Sequence, residues 1–309
     1  MNSKIIGTGG YLPTKVLTNK DLETVVDTTD DWIIERTGIK QRHIAEPGET
    51  TSSMATKASK DAIKSANISN EDIDLIVVAT TTPDMVFPST ACILQNNLKI
   101  KAPAFDVQAA CTGFIYAMSI ADNYIKTGTC KNVLIVGAEK YSNLLDWSDR
   151  STCVLFGDGA GSVILGSSNN PGIISSTIGS NGNYKDLLTV NPDSDFIEMK
   201  GNDVFKIAVN TMGKIARETL DQHDLKINDV DWLIPHQANS RIISAIAKKL
   251  SLPSEKIIMT VGNHGNTSAA SIPLAIDYAV ESGDLKKEDT ILLEAFGAGF
   301  TWGSTLLKF

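Results

Sequence analysis

Short apolar runs rich in β-branched residues alternate along this chain with longer runs of helical character. The candidate strands are 75–79 (Leu-Ile-Val-Val-Ala), 133–137, 162–166, 232–235 and 290–295. They read as near-continuous hydrophobic stretches, the pattern of strands covered on both faces. Helical runs at 54–66 and 205–223 are each followed by a short turn and then a strand. Low-complexity stretches and long linkers are absent. The pattern predicts an α/β fold with largely buried sheets.

The pattern also repeats. The run 72–78 (Asp-Ile-Asp-Leu-Ile-Val-Val) answers 229–235 (Asp-Val-Asp-Trp-Leu-Ile-Pro), an offset of 231 − 74 = 157. The run 133–138 answers 290–295, again 295 − 138 = 157. Between them Cys111-Thr112 lies over Asn266-Thr267, with an offset of 266 − 111 = 155. Three matches in order predict two related halves, 1–170 and 171–309. Cys111 and Asn266 are then expected to begin equivalent helices that meet at the centre.

Cys111 closes a β-rich run, 103–110, and opens a helical one, 112–119. A thiol there faces first-turn N–H groups at the positive end of a helix, so a lowered pKa and a reactive thiolate are expected. His236 follows an apolar strand and precedes Gln-Ala-Asn at a helix start, where a neutral imidazole can hydrogen-bond a carbonyl oxygen. Asn266 stands at the start of a small-residue helix. A strand running into a Gly-rich turn, 294–303 (Glu-Ala-Phe-Gly-Ala-Gly-Phe-Thr-Trp-Gly), offers backbone amides for an oxyanion. Together these suggest a Cys–His–Asn acyl-transfer site with the first half carrying Cys111 and the second His236 and Asn266. Bland uses are expected for the rest. Cys92, Cys130 and Cys153 read as small buried hydrophobes. His264 reads as structural support for the loop before Asn266, and His43 and His223 as exposed. The Gly-rich runs 6–10 and 157–161 lack a dinucleotide fingerprint, and the second reads as close core packing.

Composition narrows the classes. Of 309 residues 42% are hydrophobic and 21% charged, enough for a large core, and the net charge of −8 argues against a general nucleic-acid surface. Four cysteines without CxxC spacing and four histidines suggest neither a disulfide scaffold nor a metal site. No signal-like start and no spanning segment are visible, so a cytoplasmic protein is expected.

The motifs as a set resemble β-ketoacyl-acyl carrier protein synthase III, the initiating condensing enzyme of type II fatty acid synthesis. They run in order: 31–39 (Asp-Trp-Ile-Ile-Glu-Arg-Thr-Gly-Ile), 87–89 (Phe-Pro-Ser), 110–114 (Ala-Cys-Thr-Gly-Phe), 156–161, 236–239 (His-Gln-Ala-Asn), 264–271 and 295–303. The resemblance implies a thiolase-like fold, duplicated βαβαβαββ halves in a five-layer αβαβα arrangement, as a homodimer. It implies a decarboxylative Claisen condensation of a short acyl-CoA, acetyl-CoA foremost, with malonyl-acyl carrier protein. Cys111 would carry the acyl group, and His236 and Asn266 would stabilise the malonyl-derived enolate. The amides of Cys111 and Ala298 would hold the acyl oxyanion. Relatives commonly have Gly at the position of Ala298, so a turn needing positive φ there would be strained. Phe296 would shield the nucleophile, Leu155 and Phe156 would line the acyl pocket, and Phe87, reaching across the dimer in relatives, would help to close it. Coenzyme A would meet Thr28, Trp32, Arg36 and Arg150 around adenine, with Gly201 and Asn239 nearer the pantetheine. Lys206, Arg241, Lys248 and Lys249 would dock the acidic carrier protein, and no cofactor or metal beyond the acyl-CoA substrate is implied. The alternative is a related condensing enzyme with another acceptor, 3-hydroxy-3-methylglutaryl-CoA-synthase-like or from secondary metabolism.

Overall fold

The computed structural model describes residues 1–191 and 193–309. Its strands are β1 Asn2–Tyr11, β2 Lys15–Thr18, β3 Gln41–Ile44, β4 Leu75–Ala79, β5 Ala104–Val107, β6 Asn132–Lys140, β7 Asp158–Ser168, β8 Ile173–Ser180, β9 Leu188–Val190, β10 Ile197–Met199, β11 Trp232–Pro235, β12 Thr290–Gly297 and β13 Thr301–Lys308. Its helices are α1 Asn19–Leu22, α2 Asp30–Thr37, α3 Thr51–Ser65, α4 Thr90–Leu98, α5 Gly113–Lys126, α6 Gly201–Asp221, α7 Ser240–Leu250, α8 Val261–His264 and α9 Ser271–Glu281. Every strand expected from the sequence is present.

Two sheets form the frame. One has the order β1-β7-β6-β4-β5 and the other β11-β12-β13-β8. β4 is buried at all five positions, as its unbroken apolar run requires, because helices cover it on both sides. On one side α3 and α4 pack through Met54, Ala58, Ala62, Leu94 and Leu98. On the other lie α5 and α9, which share one core with the inner faces of both sheets through Phe114, Met118, Ile272, Ile276, Ile135 and Leu293. Helices α6 and α7 close the outer face of the second sheet through Met212, Ala216, Ile242 and Ile246. Five layers result. Phe114 has no exposed surface, so Phe114→Ala would cost about 3–5 kcal/mol. The close layers demand small residues: a Cβ on Gly161 would lie 2.6 Å from the Leu274 backbone nitrogen in α9. The 157–161 run is core packing, as its sequence suggested.

The duplication is real, but its register differs from the sequence match. Leu75 pairs with Val133 and Trp232 with Ile291. With Leu75 matched to Trp232 (232 − 75 = 157), Val133 matches Ile291 (291 − 133 = 158). The match that aligned Ala138 with Ala295 is therefore one residue out, a slip that would turn every side chain to the wrong face. Among the described residues the second half has no full counterpart of β5, and a single bridge, Leu233 to Ile257, marks its place.

Candidate active site

The nucleophile candidate sits where β5 gives way to the central helix. Residues Ala110–Thr112 form one 3₁₀ turn and α5 begins at Gly113. Ala110 takes φ 48°, which bends the chain so that Cys111 is buried beneath the turn. Gly297 is what allows the β12–β13 turn to close over it. A Cβ at Gly297 would stand 2.9 Å from the Cys111 nitrogen and 3.0 Å from the Ala109 oxygen. Thr301 locks the two loops together, its hydroxyl donating to the Ala109 carbonyl at 2.9 Å. Ala298 lies in this turn without positive φ; that conformation falls to Gly299, at 131°. Alanine at 298 is therefore unstrained.

His236 follows β11. Its backbone N–H donates to the Glu294 carbonyl at 2.7 Å, and the neighbouring Gln237 is fully buried with its amide bonding Pro235, Ile258, Thr260 and Val261. This clamp fixes the loop that carries the imidazole. Nδ1 lies 2.7 Å from Ser271 Oγ in the first turn of α9. That hydroxyl accepts from the Gln237 N–H at 3.3 Å and, among the described residues, has Nδ1 as its one hydrogen-bond acceptor, so its own proton is assigned there. The imidazole proton is then on Nε2, the nitrogen left for a ligand. Burial pushes the His236 pKa down to about 3, so the ring is neutral at physiological pH.

Asn266 is held by its backbone in a parallel bridge with Phe156, its N–H donating to Leu155 O at 2.9 Å. Its Oδ1 accepts from the Ser268 N–H at 2.9 Å, which leaves the Nδ2 amide group as donor. Asn266 lies just before the 3₁₀ turn Ser268–Ala270, and α9 begins only at Ser271.

Cys111, His236, Asn266, Phe296 and Ala298 all line one cavity of about 860 Å³. Leu155 and Phe156 line it too, with Phe156 stacked on Tyr141 at 4.9 Å. Outward, the lining continues through Gly201, Asn239, Arg241, Arg36 and Trp32. Both Arg36 and Arg150 place guanidinium carbons over the Trp32 ring, 4.9 and 4.8 Å from its centroid. Arg150, outside the lining, is tethered to the Asp27 carbonyl at 2.9 Å. Thr28 is half-buried, and its hydroxyl has no hydrogen-bond partner. Phe87 is not brought to this cavity; it is 82% exposed on a loop of its own. Lys206 and Lys248 are exposed, whereas Lys249 is half-buried, its Nζ donating to Asn210 Oδ1 at 2.7 Å.

Four expectations are overturned. Burial raises the Cys111 thiol to about 12, opposite to the lowering expected at a helix start, because the site excludes the water that would solvate a thiolate. Cys111 and Asn266 are not equivalent positions. The two 3₁₀ turns match at 268 − 110 = 158, which sets Cys111 against Ala269 and Asn266 against Gln108. His43 and His223 are half-buried, and His43 Nδ1 lies 2.6 Å from the Pro13 oxygen. Cys92 is only half-buried, unlike Cys130 and Cys153. His264 ends α8, half-buried and edge-on to Tyr278, outside the cavity lining. Sequence reasoning also passed over Ser268, Ser271, Glu139 and Tyr141. The available signal was polar residues inside otherwise apolar strand ends and helix starts.

Two family models match the chain, "3-Oxoacyl-[acyl-carrier-protein (ACP)] synthase III" over residues 105–182 and its C-terminal model over 220–309. The β-ketoacyl-[acyl-carrier-protein] synthase III of Thiobacillus denitrificans is 56% identical over 316 residues, covering 99% of both chains. That of Methylococcus capsulatus is 57% identical over 317, again 99% of both. The crystal structure of 3-oxoacyl-[acyl-carrier-protein] synthase III from Aquifex aeolicus superposes with a TM-score of 0.97 at 52% identity, covering 99% of this chain and 100% of that one. The layered fold is thus the thiolase-like one, and the chain belongs to the β-ketoacyl-[acyl-carrier-protein] synthase III family.

Proposed function

We propose that this condensing acyltransferase of fatty acid synthesis loads a short acyl group, acetyl foremost, from acyl-CoA onto Cys111 and passes it to malonyl-acyl carrier protein. One observation carries the reading: a thiol, a neutral imidazole and a free carboxamide face a single cavity. After loading, the malonyl thioester oxygen would lie between His236 Nε2–H and the Asn266 amide. Loss of CO2 puts negative charge on that oxygen, and two fixed donors in a dry site stabilise it far better than water could. A neutral His236 suits this role, since it donates without surrendering its proton. The resulting carbanion attacks the acyl carbon, whose oxygen meets the amides of Cys111 and Ala298. Phe296, 4.5 Å from Phe300 and 6% exposed, keeps bulk water from the acyl-enzyme.

The outer lining suits coenzyme A. Gly201 and Asn239 flank the inner course, with Trp32 and Arg36 at the mouth. Arg150 now stands directly on the indole, so a base binding between them must separate the pair by about one ring thickness, ~3.5 Å. Thr28 Oγ1 supplies an unused polar group beside them. The carrier protein is assigned to the α6–α7 face, where Arg241 lines the cavity and Lys206 and Lys248 are exposed. Arg241 to Lys248 is two helical turns, so both project from one side of α7. A local basic face is needed against the overall charge of −8. Met85, Val86 and Phe87 form an apolar loop with Val86 94% exposed, which supports a homodimer in which a second copy covers them. Free thiols at all four cysteines suit the reducing cytoplasm, and no helix is long and apolar enough to cross a membrane.

The acceptor decides between this and a related condensing enzyme. Acyl-loaded enzyme mixed with malonyl-acyl carrier protein should release CO2 and yield 3-oxoacyl-carrier protein. Turnover with an acetoacetyl acceptor and no CO2 would reject it.

A further inference from the structure

One buried carboxylate has no part in the chemistry above. Glu139, near the end of β6, has no exposed surface, and among the described residues no lysine or arginine pairs with it. Donors from the turn after β4 meet it instead. Thr82 Oγ1 donates to Oε2 at 2.7 Å, Thr80 Oγ1 at 3.3 Å and the Thr81 N–H at 3.1 Å. The Thr81 hydroxyl lies 3.1 Å from both carboxylate oxygens. Thr82 Oγ1 itself accepts from the Lys140 N–H, and Thr80 Oγ1 from the Thr82 N–H, so both hydroxyl protons are directed at Glu139. With Oε2 occupied in this way, Oε1 reaches across to the second half of the molecule. There Ser268 Oγ donates to it at 3.1 Å.

Ser268 joins this cluster to Asn266. It has no exposed surface and takes a left-handed φ of 49°. A residue with a side chain stays in that region when its surroundings enforce it. Here the hydroxyl is held by Glu139, with Tyr141 OH a further neighbour at 3.1 Å. In this conformation the Ser268 N–H donates to Asn266 Oδ1 at 2.9 Å, the one hydrogen bond of the Asn266 side chain among the described residues. The Asn266 backbone is fixed by its bridge with Phe156, but the carboxamide can still turn about its terminal bond. A half-turn would present Oδ1 to the cavity in place of Nδ2. An acceptor would then face an oxygen that is gaining negative charge.

We infer that Ser268, anchored through its hydroxyl to Glu139, is the positioning residue that keeps the Asn266 carboxamide turned with Nδ2 toward the cavity. The inference rests on Asn266 as a donor to the enolate oxygen. Neither Ser268 nor Glu139 lines the cavity, so both act through Asn266 and not on the substrate. The anchor also crosses between the halves, fixing the turn before α9 to β6. A carboxylate suits this task. It can only accept, so the direction of each bond in the cluster is set. Burial raises Glu139 to about 7, and the accepting form prevails on the alkaline side of that value.

The test is a double-mutant cycle between positions 268 and 266, with the two half-reactions read separately at about pH 8. Ser268→Ala removes the anchor, and Ala110 shows that alanine can hold the same φ in the matching turn. Decarboxylation of malonyl-acyl carrier protein should slow about 10-fold, while loading of Cys111 from acetyl-CoA stays within about 2-fold. In the Asn266→Ala background the same change should slow decarboxylation by less than about 2-fold, because no carboxamide is left to orient. A merely structural role would slow both half-reactions alike, or would add in full to Asn266→Ala; either result overturns the inference. Should Ser268→Ala not fold, Ser268→Gly, which adopts the left-handed φ freely, replaces it in the cycle with the same expectations. Glu139→Ala, which deletes the anchor from the other side, should repeat the pattern, and decarboxylation at the full rate in that variant also overturns the inference. If Asn266→Ala alone leaves decarboxylation unchanged, the enolate assignment fails and the inference with it. A slow Asn266→Ala beside an unimpaired Ser268→Ala sinks the inference alone.

Discussion

Ala110 and Ser268 adopt nearly the same left-handed φ, 48° and 49°, at the first position of matching 3₁₀ turns in the two halves. Each turn leads into a central helix, α5 or α9, and the two helices share one core. The repeated strain is what brings both helix starts to the same cavity. Behind Ala110 it buries the sulfur of Cys111; at Ser268 it turns a hydroxyl toward Glu139 and ties the N–H to Asn266 Oδ1.

That conformation sets a stability test. Ala110 carries a Cβ at positive φ, a state glycine adopts freely. Ala110→Gly should hold or raise unfolding free energy by up to about 1 kcal/mol, and Ala110→Val should lower it by at least about 2 kcal/mol. Urea unfolding checks both. A clear loss in the glycine variant would deny that strain is stored there.

Much of this architecture was legible in the chain. Leu75–Ala79 and Thr290–Gly297 announce buried strands because no polar residue interrupts them until Glu294. The duplication was visible, but its register was not. Ala138 and Ala295 look alike by side chain, whereas strand pairing sets Ala295 against Gly137, a choice made by β4 and β11 as neighbours. The thiol was misjudged for a related reason. A helix start favours thiolate, yet the closure of the turn at Gly297–Ala298 over Cys111 comes from residues far along the chain. Desolvation by that closure outweighs the helix end. Ser268, Ser271 and Glu139 escaped notice because serine at a helix start and glutamate at a strand end are ordinary until three dimensions join them.

Asn266 is assigned to enolate stabilisation, with its Oδ1 committed to the Ser268 N–H and its Nδ2 left as donor. Asn266→Ala should therefore slow decarboxylation of malonyl-acyl carrier protein by about 100-fold or more while slowing acyl loading far less. Single-turnover rates for the two half-reactions give the ratio. Equal losses would contradict the assignment.

Glu294 lies in β12 with neither carboxylate oxygen partnered, and burial raises its pKa well above the ordinary value. The folded state thus keeps a proton that the unfolded chain releases above about pH 4.5. Its stabilising contribution is complete below that pH and is lost as pH rises toward the folded value. Glu294→Gln, neutral and of similar shape, should gain on the unmodified protein by up to about 1.4 kcal/mol per pH unit across that window. Unfolding free energies at several pH values measure the gap, and a gap that stays constant counts against a protonated Glu294.

Carrier-protein docking is assigned to an exposed basic face, where charge steers association. Lys248→Glu should raise KM for malonyl-acyl carrier protein several-fold at low salt, and the effect should shrink as salt is added. KM for acyl-CoA should not move. Steady-state kinetics with each substrate varied in turn provide both values, and an unchanged carrier KM removes Lys248 from the docking face.

The chemistry turns on where the acyl group rests between the two half-reactions. Brief incubation with acetyl-CoA, acid quench and peptide mapping by mass spectrometry locate it. One acetyl group per chain on the peptide containing Cys111, lost again on adding malonyl-acyl carrier protein and absent in Cys111→Ser, is the result expected. An acetyl group on Cys92, Cys130 or Cys153 with Cys111 unmodified, or full loading in Cys111→Ser, would contradict it.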